Sequence, residues 1–239
     1  MKRILITGGN SGIGYATAEL SKEFGFDVTI CGRNAKRVAQ AAEVLGVKGV
    51  VADISNPENI SSLASCFKDE GLDALVNNAA IAKFMPITEH TLTDYEEFLN
   101  VNIRGPLLLI QKLIPALERK GGCVCNISSA ITNNGLPNAS LYAATKGAVD
   151  GFSRSLALEL APKGIRVNCI SPGAIDTPLI NKLGLDQELI SAIKAQQEAI
   201  IPLRRYGGAK EVAHVILAQI EASYVTGSVW SVDGGVDAV

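Results

Sequence analysis

The stretch RILITGGNSGIG, residues 3–14, decides the fold. Its first five residues form an apolar run typical of a buried strand, and glycines follow at Gly8, Gly12 and Gly14. Glycines at this spacing permit a tight turn, close approach of the backbone to a pyrophosphate and close helix–strand packing. A helix from about Ile13 would turn its unpaired N–H groups toward the phosphates. The segment therefore predicts a dinucleotide-binding unit, and the absence of a GK[ST] sequence argues against a P-loop.

Further apolar runs follow that first strand along the chain. They are rich in Val and Ile and nearly continuous, as expected for strands buried on both faces of a parallel sheet. Helical patterns separate them, and the runs lie at 27–31, 49–52, 73–77, 123–128, 165–171 and 228–234. The alternation predicts an α/β fold over residues 1–239: a single-domain Rossmann-type doubly wound parallel sheet of about seven strands with helices on both faces.

One segment departs from this alternation, an insertion at about 173–206 after the sixth run. It contains DQELISAIKAQQEAII, residues 186–201, which has a helical pattern. Ligands bind at the carboxyl ends of the strands in such sheets, so we expect the insertion to form a substrate loop.

Composition excludes several classes of partner. The formal net charge of the 239 residues is −2 and no run of basic residues occurs, so neither nucleic acid nor an acidic membrane surface is expected. The most apolar stretch, residues 106–117, is too short to span a membrane and is interrupted by Gln111 and Lys112. The five cysteines and two histidines show no metal-ligand spacing. We expect a cytoplasmic protein with free buried thiols and no metal.

The end of the second run bears on cofactor choice. An NAD site usually carries an acid here, but the sequence ICGRN places Gly32 at that position, followed by Arg33. A guanidinium can hold a 2′-phosphate through paired, charge-assisted hydrogen bonds, although Arg33 could also be an ordinary surface residue. We predict that NADP(H) is preferred and that NAD(H) is possible. Asp53, after the third run, could accept from the adenine amine or cap a helix opening near Pro57.

Tyr142 and Lys146 lie four residues apart in SLYAATKGAVDGF, residues 140–152. On a helix this spacing places both side chains on one face. A cation beside a phenol favours the phenolate and lowers the tyrosine pKa from about 10, which suits an acid or base near neutral pH. The other interpretation is a surface tyrosine near a solvated lysine.

With these motifs in place, the chain resembles the short-chain dehydrogenase/reductase family, in a branch similar to 3-oxoacyl-carrier-protein reductases. The resemblance covers essentially the whole chain. Ala80 stands where the family has a glycine in NNAG. The matching segments are TGGNSGIG (7–14), NNAA (77–80), NVNIRG (100–105), NISS (126–129), YAATK (142–146), SPGAIDT (171–177) and VTGSVWSVDGG (225–235).

The resemblance implies a catalytic tetrad of Asn102, Ser129, Tyr142 and Lys146. Ser129 rather than Ser128 is implied, because the family serine precedes the tyrosine by thirteen residues. Tyr142 would donate a proton to the developing alkoxide, and Ser129 would hold the same oxygen. Lys146 would lower the tyrosine pKa and bind the nicotinamide ribose, and Asn102 would hold a water.

The cofactor site predicted from these motifs spans several segments of the chain. Its residues are Gly8, Asn10, Ser11, Gly12, Ile13, Gly14, Arg33, Asp53, Ile54, Asn78, Tyr142, Lys146, Pro172, Gly173, Ile175 and Thr177.

The implied function is an NADP(H)-dependent oxidoreductase that interconverts a carbonyl and a secondary alcohol, acting on a small molecule. The alternative is a non-catalytic NADP(H)-binding sensor. A homotetramer built on helices at about 92–119 and 141–162 is implied, since both carry apolar residues on more than one side. Basic residues that could meet an acidic carrier, or form a solvated face, are Lys182, Lys194, Arg204 and Arg205.

Overall fold

Strands and helices alternate along the chain, as the apolar runs predict. The structure, a computed structural model, describes residues 1–177 and 187–238. The strands are β1 Arg3–Thr7, β2 Asp27–Gly32, β3 Lys48–Val51, β4 Ala74–Asn77, β5 Cys123–Ile127, β6 Arg166–Pro172, β7 Ile175–Asp176, β8 Gly207–Gly208 and β9 Val229–Val232. The helices are α1 Gly12–Glu23, α2 Ala35–Leu45, α3 Pro57–Ser65, α4 Leu92–Leu99, α5 Gly105–Glu118, α6 Ile131–Asn134, α7 Ser140–Leu160, α8 Gln187–Ile200 and α9 Ala209–Glu221.

Seven strands form one parallel sheet in the order β3-β2-β1-β4-β5-β6-β9, and β7 pairs with β8. The prediction of a doubly wound parallel sheet is confirmed. The chain leaves β1 in one direction and returns to add β4 on its other side, so the order reverses between these two strands. A crevice opens at such a switch point, outside the carboxyl ends of the strands.

The central strand β1 shows how the two helical layers are held. Ile4, Leu5 and Ile6 are completely buried. Ile4 and Ile6 pack with residues of α1, α2 and α9, whereas Leu5 packs with residues of α3, α5 and α7. Successive side chains of a strand point to opposite faces, so one apolar run contributes to the hydrophobic cores on both faces of the sheet.

The helix predicted at 92–119 is interrupted. A π-helical segment, Asn100–Arg104, joins α4 to α5. Pro106 follows this segment in the first turn of α5; it has no N–H to donate, and in a regular helix its ring would clash with the carbonyl four residues earlier, that of Asn102. Gly105 packs against the Ile54 carbonyl so closely that a Cβ would not fit. The segment therefore lies directly on the chain that follows β3.

Part of the predicted insertion, residues 178–186, lies outside the described residues. The described remainder contains α8, which confirms the helix expected from residues 186–201. None of the helices in the two described ranges is long and apolar enough to cross a membrane.

The five cysteines are free, as predicted. The expected burial holds for Cys31, Cys123, Cys125 and Cys169 but is wrong for Cys66, which is exposed because it lies after the end of α3. Burial raises the pKa of the Cys31 thiol to about 12 and that of Cys123 to about 11. Within the described ranges, no group of His, Cys, Asp or Glu side chains is arranged to hold a metal ion.

Candidate active site

The glycine loop turns sharply at the end of β1. Gly8 and Gly12 have φ of +65° and +56°, a region that favours glycine, and the Gly8 N–H donates to the Cys31 carbonyl at 2.8 Å. A Cβ on Gly14 would lie 2.5 Å from the Gly8 carbonyl oxygen. The start of α1 is thereby drawn tightly against the loop.

Asn78 braces this loop from the end of β4. Its side-chain amide donates to the Thr7 carbonyl at 2.9 Å and to the Gly8 carbonyl at 3.3 Å. The Thr7 hydroxyl in turn accepts from the backbone N–H of Asn78 at 3.0 Å. Ala80 lies outside the left-handed backbone region, so the alanine in place of the family glycine is tolerated. The strands on either side of the switch point are therefore tied together at the crevice.

The N-terminus of α1 fits an anionic group. Ser11 is its N-cap residue but makes no side-chain capping bond, whereas Asn34, Asn56 and Thr91 cap α2, α3 and α4. The orphan N–H groups of a helix start need an acceptor, and phosphate is a suitable one. The uncapped start of α1 therefore fits a dinucleotide pyrophosphate.

Arg33 follows the end of β2 and is exposed. Lys36 and Arg37, in the first turns of α2, are exposed as well, and none of the three forms an ion pair with an acid in the described ranges. The Asn10 side chain lies over Gly32, the residue before Arg33, since a Cβ on Gly32 would be 2.5 Å from the Asn10 Oδ1 atom. This end of the crevice thus presents uncompensated positive charge.

Asp53 does not cap α3, so that alternative is wrong. Asn56 is the N-cap and accepts from Glu58 N and Asn59 N, with Pro57 in the first turn as predicted. Asp53 instead accepts from the backbone N–H and the hydroxyl of Ser55, at 2.8 and 2.7 Å. A contact with adenine stays a prediction for Asp53 and for the buried Ile54 beside it.

Tyr142 and Lys146 lie together in the first half of α7. The Lys146 Nζ atom is 5.7 Å from the centre of the Tyr142 ring and donates to the Ile127 carbonyl at 2.7 Å. Only 4% of Lys146 is exposed. The predicted juxtaposition is present, at the carboxyl end of β5.

The predicted lowering of the tyrosine pKa is wrong in this structure. Burial raises the pKa of Tyr142 to about 12, and a hydrogen bond with the Ser129 side chain offsets only part of that increase. Burial also lowers the pKa of Lys146 to about 8. Desolvation disfavours the charged form of both groups, and it outweighs the attraction that the helical spacing predicts.

The two serines after β5 have different surroundings. The Ser129 side chain is close enough to that of Tyr142 to lower its pKa, and its hydroxyl accepts from the Ile131 N–H at 3.4 Å. Ser128 is buried and donates to the Lys146 carbonyl at 3.4 Å. Ser129 is therefore the hydroxyl that reaches Tyr142.

Asn102 lies in the π-helical segment and is buried. Its side-chain oxygen accepts from the Ile81 N–H at 2.9 Å, and its amide donates to the Ile81 carbonyl at 2.9 Å and to the Thr145 hydroxyl at 3.1 Å. Thr145 directly precedes Lys146. Asn102 thus joins the segment after β4 to the helix that carries the tyrosine and lysine.

The turn after β6 lies beside Ser129. The Ala130 N–H donates to the Pro172 carbonyl at 2.9 Å, and a Cβ on Gly173 would be 2.7 Å from Asp233 Cα. Ile175 is buried in the β7–β8 pair, and Thr177 is half-buried. These four predicted cofactor residues thus lie at, or shortly after, the carboxyl end of β6.

Sequence reasoning missed Phe84. Its ring meets the Tyr142 ring edge-on, with centroids 6.0 Å apart, and it is 37% exposed. The neighbouring Met85 N–H donates to the Asn138 carbonyl at 2.8 Å, which ties the segment after β4 to the start of α7. An aromatic residue four positions after NNAA was the available signal.

The candidate basic patch is largely neutralised. Lys194 pairs with Asp176 and Arg205 with Glu211, both at 2.7 Å. Arg204 donates to the Ala199 carbonyl. Lys182 lies outside the described residues. The patch is thus closer to a solvated face than to a docking site for an acidic carrier.

Comparison with known proteins agrees with this geometry. A family model described as Enoyl-(Acyl carrier protein) reductase matches residues 8–237. A 3-oxoacyl-(acyl-carrier-protein) reductase of Aquifex aeolicus is 36% identical over 97% of this chain and 96% of its own length. Dehydrogenase/reductase SDR family member 4 of Homo sapiens is 34% identical over 98% of this chain and 87% of its own length.

Solved structures agree as well. Levodione reductase has a TM-score of 0.93 and 31% identity, covering 100% of this chain and 98% of its own. A 3-ketoacyl-(acyl-carrier-protein) reductase from Brucella melitensis, complexed with NADH, has a TM-score of 0.91 and 30% identity, covering 99% and 98%. A Rossmann-type sheet with a serine, tyrosine and lysine at its carboxyl edge defines the class, an oxidoreductase. The chain belongs to the short-chain dehydrogenase/reductase family.

Proposed function

We propose that this protein is an NADP(H)-dependent oxidoreductase that interconverts a small-molecule carbonyl and a secondary alcohol, with Tyr142 as general acid/base. The observation that carries the proposal is the convergence of Ser129, Tyr142 and Lys146 at the end of β5. This cluster lies along the same sheet edge as the uncapped start of α1. A dinucleotide held at that helix start would extend along the edge toward the cluster.

A nicotinamide cofactor would supply the hydride when bound. The glycine loop and the start of α1 would hold its pyrophosphate, with Gly8 and Gly14 permitting the close approach. Arg33 would hold the 2′-phosphate of NADP(H), because its exposed guanidinium has no acidic partner within the described ranges. Lys146 would bind the nicotinamide ribose.

The protonation states suit carbonyl reduction. With its pKa raised to about 12, Tyr142 is neutral at pH 7 and carries the proton that a developing alkoxide needs. Ser129 would donate to the same oxygen as negative charge develops there. Lys146, with a pKa of about 8, is mostly an ammonium at pH 7 and would stabilise the phenolate that remains after proton transfer.

A substrate panel tests the proposal. Purified protein would be assayed with NADPH and with NADH against 3-oxoacyl thioesters, simple ketones and sugar-derived carbonyls, following cofactor absorbance. We expect turnover of at least one carbonyl class, faster with NADPH. Cofactor binding without turnover of any carbonyl, or of the matching alcohols with oxidised cofactor, would instead support the non-catalytic sensor, which no observation favours at present.

Assembly is a separate prediction. Leu92 on α4 and Leu158 on α7 are 82% and 80% exposed, and Leu99 is also exposed. Exposed apolar side chains clustered on a few helices mark interfaces, so we propose a homotetramer built on these helices. Light scattering should give four times the 25.1 kDa chain mass. Leu158→Glu should reduce the assembly, whereas Leu203→Glu, exposed but off these helices, should not.

A mass near that of one chain at micromolar concentration would contradict the assembly prediction. A mass of two chains would support an interface on these helices but contradict the tetramer. Loss of assembly in Leu203→Glu but not in Leu158→Glu would move the interface away from α7.

A further inference from the structure

A second buried ionisable side chain lies one turn behind Lys146. Asp150 follows it by four residues on α7, a spacing that places both on one helix face. Lys146 is 4% exposed and Asp150 is 7% exposed. Side chains of a helix lean toward its N-terminus, so the Asp150 carboxylate leans toward the lysine.

Neither residue has an ion-pair partner within 4.0 Å in the described ranges. The Lys146 ammonium donates to a neutral group, the Ile127 carbonyl. The Asp150 Oδ1 atom is buried and has no hydrogen-bond partner among the described residues. Isolated buried charges are strongly disfavoured, and each of these residues supplies the charge that the other lacks.

Arg154, one turn beyond Asp150 on α7, is an exposed cation that forms no ion pair in the described ranges, and the remaining titratable groups near Lys146 are neutral or already paired. Burial and interaction with Asp150 raise the pKa of the Cys169 thiol, on β6, to about 12, so it is uncharged where Lys146 titrates. Tyr142, on α7 itself, is neutral in the same range. On α4, which contacts α7, Asp94 pairs with Lys83 at 2.7 Å. Asp150 is therefore the anion that acts on Lys146 through the protein interior.

We propose that Asp150 is a positioning residue that acts through Lys146: its carboxylate keeps the lysine amine protonated, in the form that carbonyl reduction requires. The proposal deepens the proposed function and rests on it for its catalytic meaning. It concerns an acid behind the lysine, on the side away from substrate, which would touch neither substrate nor cofactor.

The test measures the lysine directly, without any substrate. Protein labelled with ¹³C at lysine Cε would be titrated by NMR, and the Lys146 signal would be assigned by its loss in Lys146→Met. Asp150→Asn removes the charge and keeps the shape. We expect the Lys146 midpoint to fall by about one pH unit, since a unit charge one helical turn away in a buried position has an effect of about that size at an intermediate dielectric.

Two variants serve as controls. Asp150→Glu keeps the charge and should hold the midpoint near that of wild type. Glu159→Gln removes a charge from the same helix at an exposed position and should leave the midpoint unchanged. A midpoint in Asp150→Asn equal to that of wild type would overturn the proposal, as would an equal shift in Glu159→Gln. If Asp150→Asn does not fold, Asp150→Ser carries the same test.

A pH–rate profile provides the second readout. In carbonyl reduction, the alkaline limb of kcat/KM should move to lower pH in Asp150→Asn by the same amount as the NMR midpoint, and return in Asp150→Glu. Equal loss of activity at every pH would indicate a merely structural role and contradict the proposal. Absence of turnover in wild type would refute the proposed function alone, because the NMR titration would still report on Asp150.

Discussion

Replacing Tyr142 by phenylalanine will lower kcat by about 10²–10⁴-fold, the usual contribution of a general acid. The ring remains, so its edge contact with Phe84 and its position over Lys146 are kept. Only the hydroxyl, whose pKa responds to the Ser129 side chain, is removed. NADPH binding, followed by quenching or enhancement of its fluorescence, should therefore stay within about twofold of wild type.

The matched control is Tyr224→Phe, which removes a hydroxyl from a fully exposed tyrosine and should leave kcat unchanged. A Tyr142→Phe enzyme that retains a third of wild-type turnover would remove this residue from the mechanism. Loss of cofactor binding in parallel with turnover would mean that the phenol supports the cofactor site rather than proton transfer.

Arg33→Ala will weaken NADPH binding by about 10–100-fold and leave NADH binding nearly unchanged. Hydrogen bonds to charged groups contribute about 1.5–3 kcal/mol, and only NADPH carries the 2′-phosphate that the guanidinium would bind. Lys36 and Arg37 lie in the next turn, so part of the favourable field remains and the loss should stay within this range. The measurement is kcat/KM with both cofactors in wild type and variant.

Arg119→Ala, which removes an exposed cation at the end of α5, is the control and should affect neither cofactor. Equal losses for NADPH and NADH in Arg33→Ala would show a structural role for Arg33. Such a result would contradict the proposed preference for NADP(H). Adding Gly32→Asp should favour NADH further. The Asn10 side chain must move to admit it, since the new Cβ would lie 2.5 Å from its Oδ1.

The sheet was predictable because its central strands are buried on both faces. A continuous apolar run such as residues 3–7 needs no knowledge of its neighbours to be identified as a central strand, and β1 occupies those residues. The juxtaposition of Tyr142 and Lys146 was predictable for a similar reason, since helical spacing alone places them on one face.

The properties of the site that depend on distant residues were not predictable. Desolvation sets the pKa of Tyr142, and it depends on how the segments after β4 and β5 pack over the ring. The pairing of Arg205 with Glu211 depends on which acid the fold brings near. The interruption at residues 100–104 was not predicted, because a proline need not end a helix: Pro115 lies inside α5, whereas Pro106 follows the π-helical segment.

The distribution of thiols offers a route to site-selective labelling. Maleimide reagents need a thiolate that they can reach, and burial denies both conditions to Cys31, Cys123, Cys125 and Cys169. Cys66 is exposed, and its carbonyl lies 3.5 Å from the Arg3 guanidinium at the start of β1, on the edge opposite the candidate site. A single fluorophore can thus be attached to the wild-type chain, without cysteine removal, at a point where it reports on tumbling and subunit exchange while leaving the crevice open.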